Sequence, residues 1–216
     1  MALVCRQCGE QYDAALFGFG RAVRCGCGAW VDLAAGHVRG AETTAADGQR
    51  RPGLVLSSPA FVHHGRIPKR YTADGDDVSP PLRWEHVPEE TAELVLVCDD
   101  PDAPTARPWV HWLVYGLSPQ LKGLPEALPP KSRLVEPVTA LQGRNSWHTG
   151  RTLGYRGPDP PARDPAHRYV FRLFAVDKLL RLGPGTDRET LLAALAGHVL
   201  AVAVLVGLYG RSETGA

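Results

Sequence analysis

Five hydrophobic runs constrain this chain more than any other feature: LVLSS (54–58), AELVLVC (92–98), WVHWLVYGL (109–117), HRYVFRLFAV (167–176) and HVLAVAVLVGLY (198–209). Each is rich in β-branched and aromatic residues, which suit a pleated, packed surface. The segments between them are full of proline, glycine and aspartate. With 19 prolines and 23 glycines, both poor helix formers, the chain reads as a sheet protein with long structured loops. One helix stands out. Thr186-Asp187-Arg188-Glu189 has the spacing of a capping box ahead of TLLAALA, and Gly197 is placed to end that helix.

Length and charge narrow the classes further. A chain of 216 residues can bury a real core, and a formal net charge of +1 gives no strong nucleic-acid signal, since such domains carry a clustered basic excess. The longest apolar run, Val199 to Tyr209, contains Gly207 and is too short to span a bilayer, so no transmembrane segment is expected. The opening MALVCRQCGE has no apolar export core. A cytoplasmic location is the expectation.

Four of the five cysteines fall in the first 27 residues, as Cys5-Arg-Gln-Cys8 and Cys25-Gly-Cys27. That number and pairing match a tetrahedral, all-cysteine zinc site, in which two tight knuckles bring four thiolates to one ion. A segment of this size cannot bury enough surface to fold alone, so the metal would supply its folding energy. The second knuckle is shortened by one residue relative to Cys-x-x-Cys. A redox pair, inert thiols, or His37 as a substitute ligand are the other readings. The expected organisation is a zinc-ribbon-like module at 1–35, a flexible linker at 36–53 (GHVRGAETTAADGQRRPG), a β domain at 54–211 and a tail at 212–216. Cys98, inside an apolar run, reads as a core residue, because burial suppresses the thiolate.

The second run ends on Asp100-Pro101-Asp102 and the third carries His111. Residues two apart on an extended segment share a face, so Asp100 and Asp102 are expected to look into one space where the strand stops. Pro101 removes a donor and ends the pairing. An aspartate-rich turn with no chemistry is the bland alternative.

These elements, together with Asp74-Gly-Asp-Asp77-Val-Ser-Pro-Pro-Leu-Arg-Trp84, Trp109-Val-His111-Trp112, Gly154-Tyr-Arg-Gly157-Pro158-Asp-Pro160-Pro161 and His167-Arg-Tyr169, resemble the phosphatidylethanolamine-binding protein family, in its bacterial and archaeal branch. The resemblance runs from Leu54 to Arg211 and leaves the cysteine segment outside. It implies an antiparallel β-sandwich with one or two short helices and a small anion-accepting pocket at one end. Carried over residue by residue, the pocket takes Asp100, Asp102, His111, His167, Tyr169, the Gly157, Pro158, Pro160 and Pro161 loop, and Trp84 as a wall. The sequence stops five residues after Arg211, so the additional carboxy-terminal helix of the animal relatives is expected to be missing.

Chemically, carboxylates beside imidazoles raise their pKa, so His111 and His167 are expected to be partly protonated and to donate to a phosphate or carboxylate, with Tyr169 as a neutral donor. Lys131, Arg144 and Arg151 read as solvated loop charges, and His198 as a pin at the helix-to-strand corner. Three function classes follow. The first is a ligand-binding or regulatory protein for a phosphorylated or anionic small molecule, whose relatives are described as inhibiting kinases or proteases. The second is a hydrolase using the Asp and His cluster as general acid and base, although no Gly-x-Ser-x-Gly nucleophile motif is present. The third is a zinc-ribbon interaction protein with a ligand-sensing domain.

Overall fold

The computed structural model describes residues 53–211, preceded by the backbone of four short strands: β1 (Ala2–Val4), β2 (Gln11–Asp13), β3 (Ala22–Arg24) and β4 (Trp30–Asp32). β1 pairs with β2 and β3 with β4, both antiparallel, and β3 also lies parallel to the last strand through Ala203 and Arg24. Cys5, Cys8, Cys25 and Cys27 lie outside the described residues, as do most of the linker and the tail.

The large sheet is built from β8 (Glu93–Asp100), β9 (Trp109–Leu117), β11 (Arg133–Leu134), β12 (Ala140–Gln142), β13 (His167–Val176) and β14 (Val199–Tyr209). Its order is β11-β12-β9-β8-β13-β14, antiparallel throughout, and β6 (Gly65–Arg66) runs parallel to the end of β14. A smaller antiparallel sheet, β10-β7-β5, is made by Gly123–Leu124, Leu82–Glu85 and Val55–Ser57. The fold is mainly β, a sandwich with α1 (Arg188–Leu195) as the one α-helix among the described residues.

Every residue of β8 is buried. Leu94, Leu96 and Cys98 pack into the core between the sheets, while Val95 and Val97 face a second core capped by Leu191 and Leu195 of α1. Covering both faces explains why the run ELVLVC shows no polar alternation. Cys98 sits in the first core as expected, and burial holds its thiol well above the ordinary range.

Two local expectations change. The helix begins one residue later than the capping-box spacing suggests: Asp187 is the N-cap and accepts from Thr190 N–H at 2.8 Å. Thr186 instead donates its hydroxyl to the Gly183 carbonyl. Gly197 adopts φ +76° beyond the helix end, a conformation that favours glycine. His198 does bind at the corner, with Nδ1 2.9 Å from Asp177.

Candidate functional site

A cleft of about 240 Å³ opens at the end of the sandwich where β8 stops, β9 starts and β13 starts. Its floor is Asp100, His111, His167 and Tyr169; Trp109 and Trp147 form one wall, and Asp159, Pro160 and Pro161 form the opposite rim.

Asp100 arrives by simple strand period. It continues the inward file of Leu94, Leu96 and Cys98, and the chain then turns at Pro101. One carboxylate oxygen caps that turn, accepting from Asp102 N–H at 2.8 Å and Ala103 N–H at 3.1 Å. The other lies 2.8 Å from His167 Nδ1, with both side chains 5% exposed. Burial pushes the Asp100 carboxyl up, against the pull of these donors. Burial alone would lower His167, but Asp100 and then Asp164, 3.4 Å from Nε2, outweigh it and raise the imidazole. The two backbone donors on Asp100 favour its ionised form, and that carboxylate in turn favours a protonated His167 ring.

His111 arrives by a bulge. Cys98 pairs with Trp112, but Asp99 pairs with Val110, which leaves His111 as the extra residue of β9. The extra residue keeps Val110 in the core beside α1 and turns Trp109 and His111 to the cleft, next to Trp112 in the core between the sheets. Freed from the ladder, the His111 carbonyl accepts from Arg156 N–H at 3.0 Å, and its Nδ1 lies 2.6 Å from the Arg156 carbonyl. A carbonyl only accepts, so Nδ1 carries the proton.

The expectation that both imidazoles are partly protonated is corrected for His111. Burial lowers His111 to about 4, more than the Arg156 carbonyl and Asp99 can offset. At neutral pH it is the uncharged member of the pair. Its ring packs edge-on against Tyr169 and Trp147, each at 5.0 Å between centroids.

Tyr169 lies on the inward file of β13 with Phe171 and Leu173, and is 1% exposed. Its hydroxyl has no hydrogen-bond partner among the described residues. Burial keeps the phenol protonated far above neutrality. It is therefore a donor with no acceptor among the described residues.

Four predicted lining residues stand elsewhere. Asp102 turns away: its carboxylate accepts from Arg168 N–H at 2.9 Å, Nε at 2.9 Å and Nη2 at 2.7 Å. The two-residue period fails because the strand ends at Asp100, and Arg168 holds the Asp102 carboxyl below its ordinary range although burial works the other way. Trp84 is buried in the core, on the inward face of β7, where its indole donates to the Leu121 carbonyl. Gly157 and Pro158 stand behind the rim: a Cβ at Gly157 would come within 2.4 Å of the Tyr71 carbonyl, and Pro158 O accepts from Ala73 N–H at 2.9 Å.

Four residues that sequence reasoning did not assign complete the site. Trp109 was in principle legible, two positions before His111; Trp147, Asp159 and Asp164 sit in loops with no periodic signal. Arg151 is no solvated charge. It donates to Asp77 O at 2.7 Å and to the Asp77 carboxylate at 2.8 Å, while Asp77 also accepts from Gly157 N–H at 2.6 Å. Among the described residues no cluster of His, Cys, Asp or Glu could hold a metal, and no helix is long and apolar enough to cross a membrane.

The family model for the phosphatidylethanolamine-binding protein matches residues 57–210, which contain the whole cleft. The chain belongs to the phosphatidylethanolamine-binding protein family. A UPF0098 protein of Methanothermobacter thermautotrophicus is 49% identical over 158 residues, covering 73% of this chain and 99% of that protein. A crystal structure of a putative phosphatidylethanolamine-binding protein homologue from Chlamydia trachomatis superposes with a TM-score of 0.65 at 38% identity, over 74% of this chain and 99% of that one. Escherichia coli YbcL, described as a new member of the mammalian family, gives 0.67 at 25% identity with the same two coverages. Binding of a ligand is thus a family property.

Proposed function

We propose that this family member is a ligand-binding or regulatory protein whose cleft takes the oxyanion of a phosphorylated or anionic small molecule of the phospholipid head-group kind. The observation that carries the reading is the Tyr169 hydroxyl, buried and without a partner among the described residues, since a buried donor left unsatisfied costs free energy that an acceptor recovers. Beside it, His167 supplies the one imidazolium on the floor. The volume of about 240 Å³ lies below the usual range for drug-sized ligands and suits a head group better than a lipid. Asp164, beside His167, would meet an ammonium on the same molecule. Asp100 then acts mainly through His167, which it holds and charges.

The enzyme reading has less support. The Thr105 hydroxyl donates to the Arg107 carbonyl, and Cys98 is buried in the core, so neither is presented as a nucleophile. A kinase or protease target, implied by the resemblance alone, enters as the partner that filled and empty forms would distinguish.

Calorimetric titration of inorganic phosphate and phosphoethanolamine tests the proposal. Tyr169→Phe should weaken binding by about 1.5 to 3 kcal/mol, the usual worth of a hydrogen bond to a charged group. Equal affinity in wild type and Tyr169→Phe would remove its main support, and turnover of a phosphoester lost in Asp100→Asn would favour the enzyme.

A further inference from the structure

The rim segment Asp159-Pro160-Pro161 belongs to no strand or helix, and its two prolines have no N–H to pair. What holds it is Arg211, 52 positions away from Asp159. The Arg211 guanidinium sits at 2.6 Å from the Asp159 carboxylate and donates to the Pro160 carbonyl at 2.7 Å. It also forks onto Asp74 through Nε and Nη2, at 2.9 and 2.8 Å, and Tyr209 donates to the same Asp74 at 2.8 Å. One cation therefore serves two carboxylates, of which only Asp159 lines the cleft.

The charge count of the cleft makes this pairing consequential. His167 is matched by Asp100 and approached by Asp164, so the floor has no positive charge to spare. A free Asp159 would add a negative charge at the mouth. Its field reaches the floor: Asp159 pushes the Tyr169 phenol up while Arg211 pulls it down, and Asp159 also acts on His111.

We infer that Arg211 is the residue that sets the charge preference of the cleft, masking Asp159 so that an oxyanion can enter. It is a positioning residue, since it touches the rim and not the ligand. Unmasked, Asp159 would repel phosphate and hold an ammonium more strongly. For its ligand this inference rests on the oxyanion reading proposed above.

The test uses the full chain and four variants: Arg211→Gln, Arg211→Lys, Asp159→Asn and the Arg211→Gln, Asp159→Asn double variant, each first checked for an unchanged thermal transition. Inorganic phosphate should bind Arg211→Gln about tenfold more weakly, the scale of one unit charge at close range in a partly exposed site. Arg211→Lys, which keeps the charge, should lose far less, and the double variant should recover most of the loss, because the two residues are coupled. A double variant as weak as Arg211→Gln would show that Arg211 only props the Pro160 carbonyl, and would overturn the inference.

A readout without ligand separates the two proposals. Titration of the His111 ring by NMR should move upward in Arg211→Gln and return in the double variant. If the ring moves in this way while phosphate and phosphoethanolamine bind nothing, the masking stands and the oxyanion reading falls. If the ring does not move, the masking is wrong whatever the ligand.

Discussion

The two sides of the cleft push the same side chain in opposite directions. On the β9 side, His111 is 2% exposed, faces a carbonyl through Nδ1 and is lowered; on the β13 side, His167 is 4% exposed, faces carboxylates and is raised toward the protonated form. Little of either ring reaches solvent, but His111 lies deeper, and depth and partner act together: a carbonyl dipole compensates a buried charge poorly, while a carboxylate at 2.8 Å compensates it well. The lesson extends along β8. Asp99, beside Asp100 on the opposite face, is buried between the guanidiniums of Arg172 and Arg188. One aspartate of the pair belongs to a fixed ion cluster and the other to a group that can change charge.

The largest way to break the comparison is by acid. His111, lowered to about 4 when folded and near 6.5 when unfolded, contributes stability that is present above pH 6.5 and lost as pH falls toward 4. The full span amounts to about 3 kcal/mol at roughly 1.4 kcal/mol per unit. Urea denaturation at pH 7 and pH 4.5 should show an acid-side loss that His111→Gln flattens. A loss of the same size in the variant would mean that His111 is not the buried neutral group.

Next in size is Asp100→Asn. An amide oxygen in place of the carboxylate leaves His167 buried without its nearest carboxylate, with Asp164 and the more distant Asp102 remaining, so the ring should titrate below its wild-type value and phosphate affinity should drop by about 1.5 to 3 kcal/mol. NMR titration of the ring with calorimetry checks both, and an unshifted His167 would uncouple the two residues. Smaller still is the effect of alkali. His167 is raised on folding, so its stabilisation is full below the unfolded imidazole pKa and is lost as pH rises through the folded value. Phosphate affinity should fall over the same window, and Asp100→Asn should narrow it.

The smallest expected effect on the cleft comes from metal removal. We propose that Cys5, Cys8, Cys25 and Cys27 bind about one zinc ion per chain. Chelation should then expose the first 35 or so residues to protease as the folding energy of the metal is withdrawn. Phosphate affinity should be unchanged, because the floor residues sit on β8, β9 and β13, which pair with one another. Elemental analysis and limited proteolysis read the first effect and calorimetry the second; a metal-free protein with a protected amino terminus would rule out the zinc site.

Much of this was legible in the sequence, for local reasons. The hydrophobic runs predicted β8, β9, β13 and β14, and period two carried Asp100 and Tyr169 to the cleft because each continues an inward file. Elsewhere strand period was not enough. His111 reaches the cleft as expected, but through the extra residue in β9, which strand alternation cannot foresee and only the family resemblance supplied. Asp102 leaves it because the strand has already ended. Trp84 obeyed the period of a different strand and went into the core. Arg211 and Asp159 were invisible as a pair, because an ion pair 52 residues apart is set by topology and not by any local pattern.

The central claim is that an oxyanion is held by the Tyr169 hydroxyl and the His167 imidazolium, with His111 as a neutral wall. Following the ring nitrogens of both histidines by NMR while inorganic phosphate is added at pH 7 tests it most directly. The account predicts that phosphate raises the His167 pKa further, shifts its ring signals saturably and leaves His111 unprotonated, with the response weakened in Tyr169→Phe. Protonation of His111 on binding, or saturable binding that leaves the His167 ring unmoved, would contradict it.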